Sequence, residues 1–124
     1  MLKFMIQSTC LVFKKDVVFI KNVKGKMIDQ ETRCVHYHSN KDIIAIKFYC
    51  CKDYYPCHKC HEETADHSAE VWPKKLFDTK AIICGVCHNE LTVTEYLSCK
   101  SQCPNCQAHF NPGCSLHTHL YFEV

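Results

Sequence analysis

The sequence predicts a small, metal-dominated α+β domain, with short strands and helical turns built around ligands drawn from both halves of the chain. Three observations predict it. First, the apolar core is thin. Of 124 residues 47% count as hydrophobic, but 12 of these are cysteines, and without them the share falls to roughly 37%, under the usual globular value. Second, cysteines recur as C-x2-C pairs at Cys57/Cys60, Cys84/Cys87 and Cys103/Cys106. Third, the 34 residues from Cys34 to His67 hold five cysteines (34, 50, 51, 57, 60) and five histidines (36, 38, 58, 61, 67). That stretch has too many ligands for one metal ion and too few well-spaced ones for three. The two later pairs supply the rest, so the two halves are expected to fold together around shared metals.

Zinc fits this pattern better than disulfides do. A disulfide scaffold has no need of histidine, and nine histidines sit in this chain, several beside the C-x2-C pairs. The N-terminal apolar run is broken by Gln7, Ser8 and Thr9 and does not read as a secretory leader. A reducing, cytoplasmic setting that keeps thiols free is therefore the first expectation. No apolar run is long enough to span a membrane.

Taken in order, residues 1–22 form an N-terminal extension, readable as a β-hairpin or as a poorly ordered segment, and Cys10 stands there as a lone thiol. Residues 23–124 form the zinc-binding domain with its C-terminal tail. Gly25 marks a turn or bulge. Ser39-Asn40-Lys41-Asp42 reads as a loop, and Ile43 to Phe48 as a buried, β-branched strand that delivers Cys50 and Cys51. Neighbours on an extended chain point to opposite sides, so Cys50 and Cys51 are expected to serve different metals. Glu62 to Ala69 favours a short helix with acids in its first turn. Trp72, Leu76 and Phe77 are expected to cover the metal centre. Ala81 to Ile83 reads as a second strand, running into the tight turn of Gly85. Thr92 and Glu95 fit a capping box for a helical turn at 92–97, although the alternation of Leu91, Val93 and Glu95 also suits a strand. Asn111-Pro112 predicts a short helix from Pro112 to His117, with an extended segment from Leu120 to Val124.

The motif C-V-H-Y at Cys34–Tyr37, the C-C at 50 and 51, Y-P-C-H-K-C-H ending at His61, then His67 and two further C-x2-C pairs resemble the CHY-type zinc finger family. The resemblance runs from about Val23 onward and implies three interleaved Cys3His zinc sites. Carried over by position, it groups Cys34, His36, Cys57 and Cys60; then Cys50, His61, Cys84 and Cys87; then Cys51, His67, Cys103 and Cys106. The tail F-N-P-G-C-S-L-H-T-H-L-Y-F resembles the small stand-alone members rather than the RING ligases of the family. Those members include a mitochondrial intermembrane-space assembly helper, which makes that compartment the alternative location and implies a zinc-binding assistant to oxidative folding.

Other function classes fare poorly. H-E-x-x-H is absent, and the only P-C-x2-C lies before both H-x-E pairs, the wrong order for a zinc deaminase. Four-ligand sites leave no open position for chemistry, so no catalytic residue is expected. Thioredoxin-like exchange needs a strand-to-helix context that the C-x2-C pairs lack. Nine ligating thiolates and three divalent cations would take the formal charge from +2 to about −1, which removes most of the field that draws nucleic acid. The expected role is a non-enzymatic module that binds another protein, with Tyr54, Tyr55 and the Leu116–Phe122 segment as its exposed contact surface; a nucleic-acid-binding zinc module or a thiol/zinc-exchange helper is the alternative. Cys99, Cys114, His117 and His119 remain over, with the composition of a fourth site.

Overall fold

A computed structural model describes residues 23–124, apart from the side chains of residues 113–116. The N-terminal extension with Cys10, and the Cys114 thiol, lie outside the described residues. The β-branched run forms strand β1 (Ile44–Lys47), which turns back into β2 (Tyr54–Tyr55). The second apolar run forms β3 (Lys80–Cys84), followed by β4 (Glu90–Thr92). These make one antiparallel sheet in the order β2-β1-β3-β4.

Strand alternation sorts the side chains between two faces. Ile44, Ile46, Tyr55, Ile82 and Leu91 join the main core, whereas Ala45, Tyr54 and Ile83 form a small second cluster with Val23 packed on it. Tyr54 Oη crosses that second face to donate to Glu90 Oε1 at 2.9 Å. The main core also contains Cys34, Cys57, Cys60, Cys84 and Cys103, so the thin apolar core and the metal ligands are one packed body.

Helix α1 (His58–Thr64) begins four residues before the expected start at Glu62 and ends at Thr64. Its cap is a cysteine: Cys57 is extended, and its Sγ accepts from the Cys60 amide, so the C-x2-C pair itself starts the helix. Glu62 and Glu63 consequently lie in the last turn, not the first. Helix α2 (Val93–Ser98) starts where the capping box places it, with Thr92 Oγ1 accepting from the Glu95 amide and Glu95 Oε1 accepting from the Thr92 amide. The strand alternative stops at Thr92, where β4 ends; Val93 and Glu95 lie in α2.

The tail forms a 3-10 segment over Pro112–Leu120, longer than the expected helix. The Asn111 amide Nδ2 donates to Asp42 Oδ1 at 2.9 Å, joining the tail to the loop before β1. Beyond it, Trp72 N donates to Tyr121 O and Glu123 N to Trp72 O, an extended pairing. Phe122 is 1% exposed, and its ring contacts those of Phe77, Tyr96 and Tyr121. Trp72 is equally buried and its indole N–H donates to Lys47 O, tying the tail to β1. The expected contact surface is thereby corrected: Tyr54, Tyr55, Tyr121 and Phe122 are all buried. Aromatic rings are the largest apolar bodies available to a chain poor in aliphatic core, and folding consumes them.

Candidate metal centres

The first cluster brings together Cys34, His36, Cys57 and Cys60, as the resemblance implies. Asp29 builds the turn that delivers Cys34, its Oδ1 accepting from the amides of Glu31 and Arg33. Arg33 locks that turn through Asp29, Glu31 and the carbonyls of Ser39 and Asn40. The opposite pair comes from the start of α1. Gly25 closes the site from outside; at φ 103° it lies so near that an added Cβ would fall 2.7 Å from Cys60 Cβ.

The distances suit a tetrahedral ion. Zinc bound at about 2.3 Å to sulfur and 2.0–2.1 Å to nitrogen sets S···S edges of about 3.8 Å, S···N of about 3.5 Å and N···N of about 3.4 Å. Cys34 Sγ lies 3.7 Å from Cys57 Sγ, and His36 Nδ1 lies 3.5 Å from Cys57 and Cys60 and 3.9 Å from Cys34. The free nitrogen of His36, Nε2, meets Glu63 Oε2 at 3.1 Å, and Lys26 pairs with the same carboxylate. A carboxylate behind the histidine is the usual support of a metal-bound imidazole.

The second and third clusters depart from the expected grouping. Cys50 and Cys51 do not diverge: they share one cluster with His61 and His67, while Cys84, Cys87, Cys103 and Cys106 form another. The divergence argument fails because β1 ends at Lys47. Tyr49 to Cys51 lie in a turn closed by Lys52 N donating to Phe48 O and by Phe48 N donating to Asp53 O, with Lys52 at φ 62°. Alternation is a property of extended backbone, and in a turn adjacent side chains can share a side. Their Sγ atoms are 3.9 Å apart; His61 Nε2 is 3.3 Å from Cys50 and 3.2 Å from His67 Nε2. His67 Nδ1 meets Asp66 Oδ1 at 2.9 Å. His61 is buried, stacked 4.2 Å from Phe48, and burial with the neighbouring His67 holds its pKa below the ordinary value, so it stays neutral and able to ligate.

In the four-cysteine cluster each C-x2-C pair sits in a turn. His88 N donates to Cys84 O, and Gln107 N donates to Cys103 O. Sγ edges of 3.8 Å join Cys84 to Cys106 and Cys87 to Cys103. Gly85 is required here, since a Cβ would fall 2.1 Å from Glu31 O. Sulfurs this close cannot all ionise without a cation among them. Hydrogen bonding with Cys57 and Cys60 pushes Cys34 far below the usual thiol range, and hydrogen bonding with Cys34 and Cys60 pushes Cys57 far above it. Burial pushes Cys84 up. It acts in the same sense on Cys87, yet Asn105, the Asn89 amide and the sulfurs of Cys106 and Cys84 hold that thiol down at about 7.

The composition of a fourth site does not become one among the described residues. Cys99 Sγ donates to Tyr96 O, His117 packs against Tyr37 and His58, and His119 is exposed. Glu63 and Asp66 are the site residues that sequence reasoning missed. Asp66 adjoins His67 and could have been suspected, whereas nothing in the sequence pairs Glu63 with His36.

The CHY zinc finger family matches residues 34–112, most of the described chain. This chain belongs to the CHY zinc finger family. It is also similar to Helper of Tim protein 13 of Saccharomyces cerevisiae, 49% identical over 106 residues that cover 82% of this chain and 90% of the relative. Helper of Tim protein 13 of Kluyveromyces lactis is 44% identical over 100 residues, 81% of this chain and 87% of the relative. An uncharacterized Schizosaccharomyces pombe protein is 45% identical over 102 residues, 82% of this chain and 89% of the relative. The family and the three Cys/His clusters make this a zinc-binding finger domain.

Proposed function

We propose that this chain is a non-enzymatic assembly helper for small Tim proteins that binds three zinc ions. The observation that carries the proposal is the likeness to two proteins named Helper of Tim, covering about nine-tenths of each. Their name supports the mitochondrial intermembrane space in place of the cytoplasmic expectation. The twelve ligands are Cys34, His36, Cys57 and Cys60; Cys50, Cys51, His61 and His67; and Cys84, Cys87, Cys103 and Cys106. Four side chains per cluster complete a tetrahedral shell and leave no position for a reacting water, which supports a helper without turnover. No helix among the described residues is long and apolar enough to cross a membrane.

The test is co-purification of the zinc-loaded chain with small Tim proteins from mitochondria of the source organism, in low and high salt. Recovery of a Tim protein that survives high salt is expected. Failure to recover one, or steady turnover of a substrate by the purified chain, would overturn the proposal.

A further inference from the structure

The three clusters are unequally protected. The first has three buried ligands and His36, whose side chain is 14% exposed; the four-cysteine cluster has two buried thiols and two half-buried ones. In the second, only His61 is buried, both cysteines are half-buried, and the His67 side chain is 34% exposed. It also has the fewest thiolates, two against three and four.

The backbone that carries His67 is equally unprotected. Helix α1 ends at Thr64, and residues 66–71 are all exposed. Among the described residues, no backbone-to-backbone hydrogen bond ties any of these six; the last before them is Ala65 N to His61 O and the next is Trp72 N to Tyr121 O. His67 is held through its ring alone, by Asp66, itself 99% exposed, and by an edge contact with His61. By contrast His36 sits two residues from buried Cys34, in a turn tied by Arg33 and by Val35 N donating to Lys26 O. Segments with few buried contacts and few backbone bonds open at the lowest free energy.

We infer that His67 is a detachable ligand, and that the Cys50–Cys51–His61–His67 cluster is the site at which this protein gives up and takes back zinc. The other two clusters hold the fold. Detachment of the 66–71 arm leaves Cys50, Cys51 and His61 with a vacant fourth position, the pattern of an open rather than a closed site. That position faces solvent and suits a soft donor, a thiol of another protein or of a small molecule. The inference rests on the three-zinc reading above, which the metal content of the freshly purified chain tests by itself.

The experiment challenges the full zinc-loaded chain with the chromogenic chelator 4-(2-pyridylazo)resorcinol, with alkylation of released thiols read by mass spectrometry. One zinc of three should leave at least tenfold faster than the others, with Cys50 and Cys51 the first cysteines labelled, before near-UV circular dichroism is lost. His67→Cys should slow that phase toward the others by adding a thiolate; His67→Ala should yield a folded chain with two zincs and no fast phase. Release of all three zincs in one phase together with unfolding, or first labelling at Cys84, Cys87, Cys103 or Cys106, would overturn the inference. So would a fast phase unchanged in both variants. Loss of Tim binding with the fast phase intact would count against the assembly reading and not against this one.

Discussion

Phe122→Ala tests whether the tail is core or contact surface. The ring is 1% exposed and lies within 6.3 Å, centroid to centroid, of Phe77, Tyr96 and Tyr121. Removing it deletes the transfer free energy of a whole aromatic side chain and leaves a cavity that the sheet and Trp72 can only partly refill. Such changes cost about 3–5 kcal/mol. A small domain has only about 5–15 kcal/mol in total, and about 4–8 °C is lost per kcal/mol at this size, so the midpoint should fall by roughly 12–40 °C. The assay is thermal unfolding followed by Trp72 fluorescence at fixed free zinc, because zinc that binds only the folded chain shifts the midpoint by mass action. A midpoint within about 3 °C of the parent, with partner capture lost, would refute the packing argument and return the tail to the surface.

Thr32 predicts a gain. Its hydroxyl is buried with no hydrogen-bond partner among the described residues, so Thr32→Val, equal in shape and equally strained at φ 70°, should stabilise the fold by about 1 kcal/mol; a loss of similar size in denaturant titration would mean the hydroxyl is paired in solution. Gly25→Ala forces a left-handed backbone strain of about 1–3 kcal/mol and a clash with Cys60 at the first cluster. The variant should lose zinc there, read as two zincs per chain by elemental analysis, and full occupancy would contradict the close approach. Glu63→Gln should weaken zinc at the same cluster about 10–100-fold in chelator competition while leaving Cys87 and Cys106 as protected as before; no change would show that the His36 carboxylate contact is idle.

Much of this architecture was legible from residues, and each failure has its own physical cause. The runs Ile43–Phe48 and Ala81–Ile83 are short, β-branched and bounded by turn residues, and they became β1 and β3. The Thr92–Glu95 box needs only two side chains and two amides, all local, and it formed as read. The twelve cysteines and histidines that gather into the three clusters could be picked out because ligand chemistry restricts residue type. Their partition was not, because it depends on where β1 stops: the turn over Tyr49 to Cys51 puts Cys50 and Cys51 on one side. Helix α1 started early because a cysteine sulfur can cap a helix, a role that propensity does not assign to it. The aromatic tail misled for a different reason. An exposed aromatic and a core aromatic look alike in sequence, and the thin apolar content was the clue that among the described residues Tyr54, Tyr55, Tyr121 and Phe122 are used in the core.

The central claim is the division of twelve ligands into sets of three thiolates with one imidazole, two with two, and four with none. Replacing zinc by cadmium-113 and recording its NMR spectrum tests this directly, since deshielding of the metal rises with each thiolate bound. The structure predicts three resonances in three separate classes, with the protons of Cys84 and Cys103 coupled to the same, most deshielded metal and those of Cys50 and Cys51 to the least. Three resonances clustered in the three-thiolate class, with Cys50 coupled to the metal of Cys84, would contradict the account and restore the interleaved arrangement.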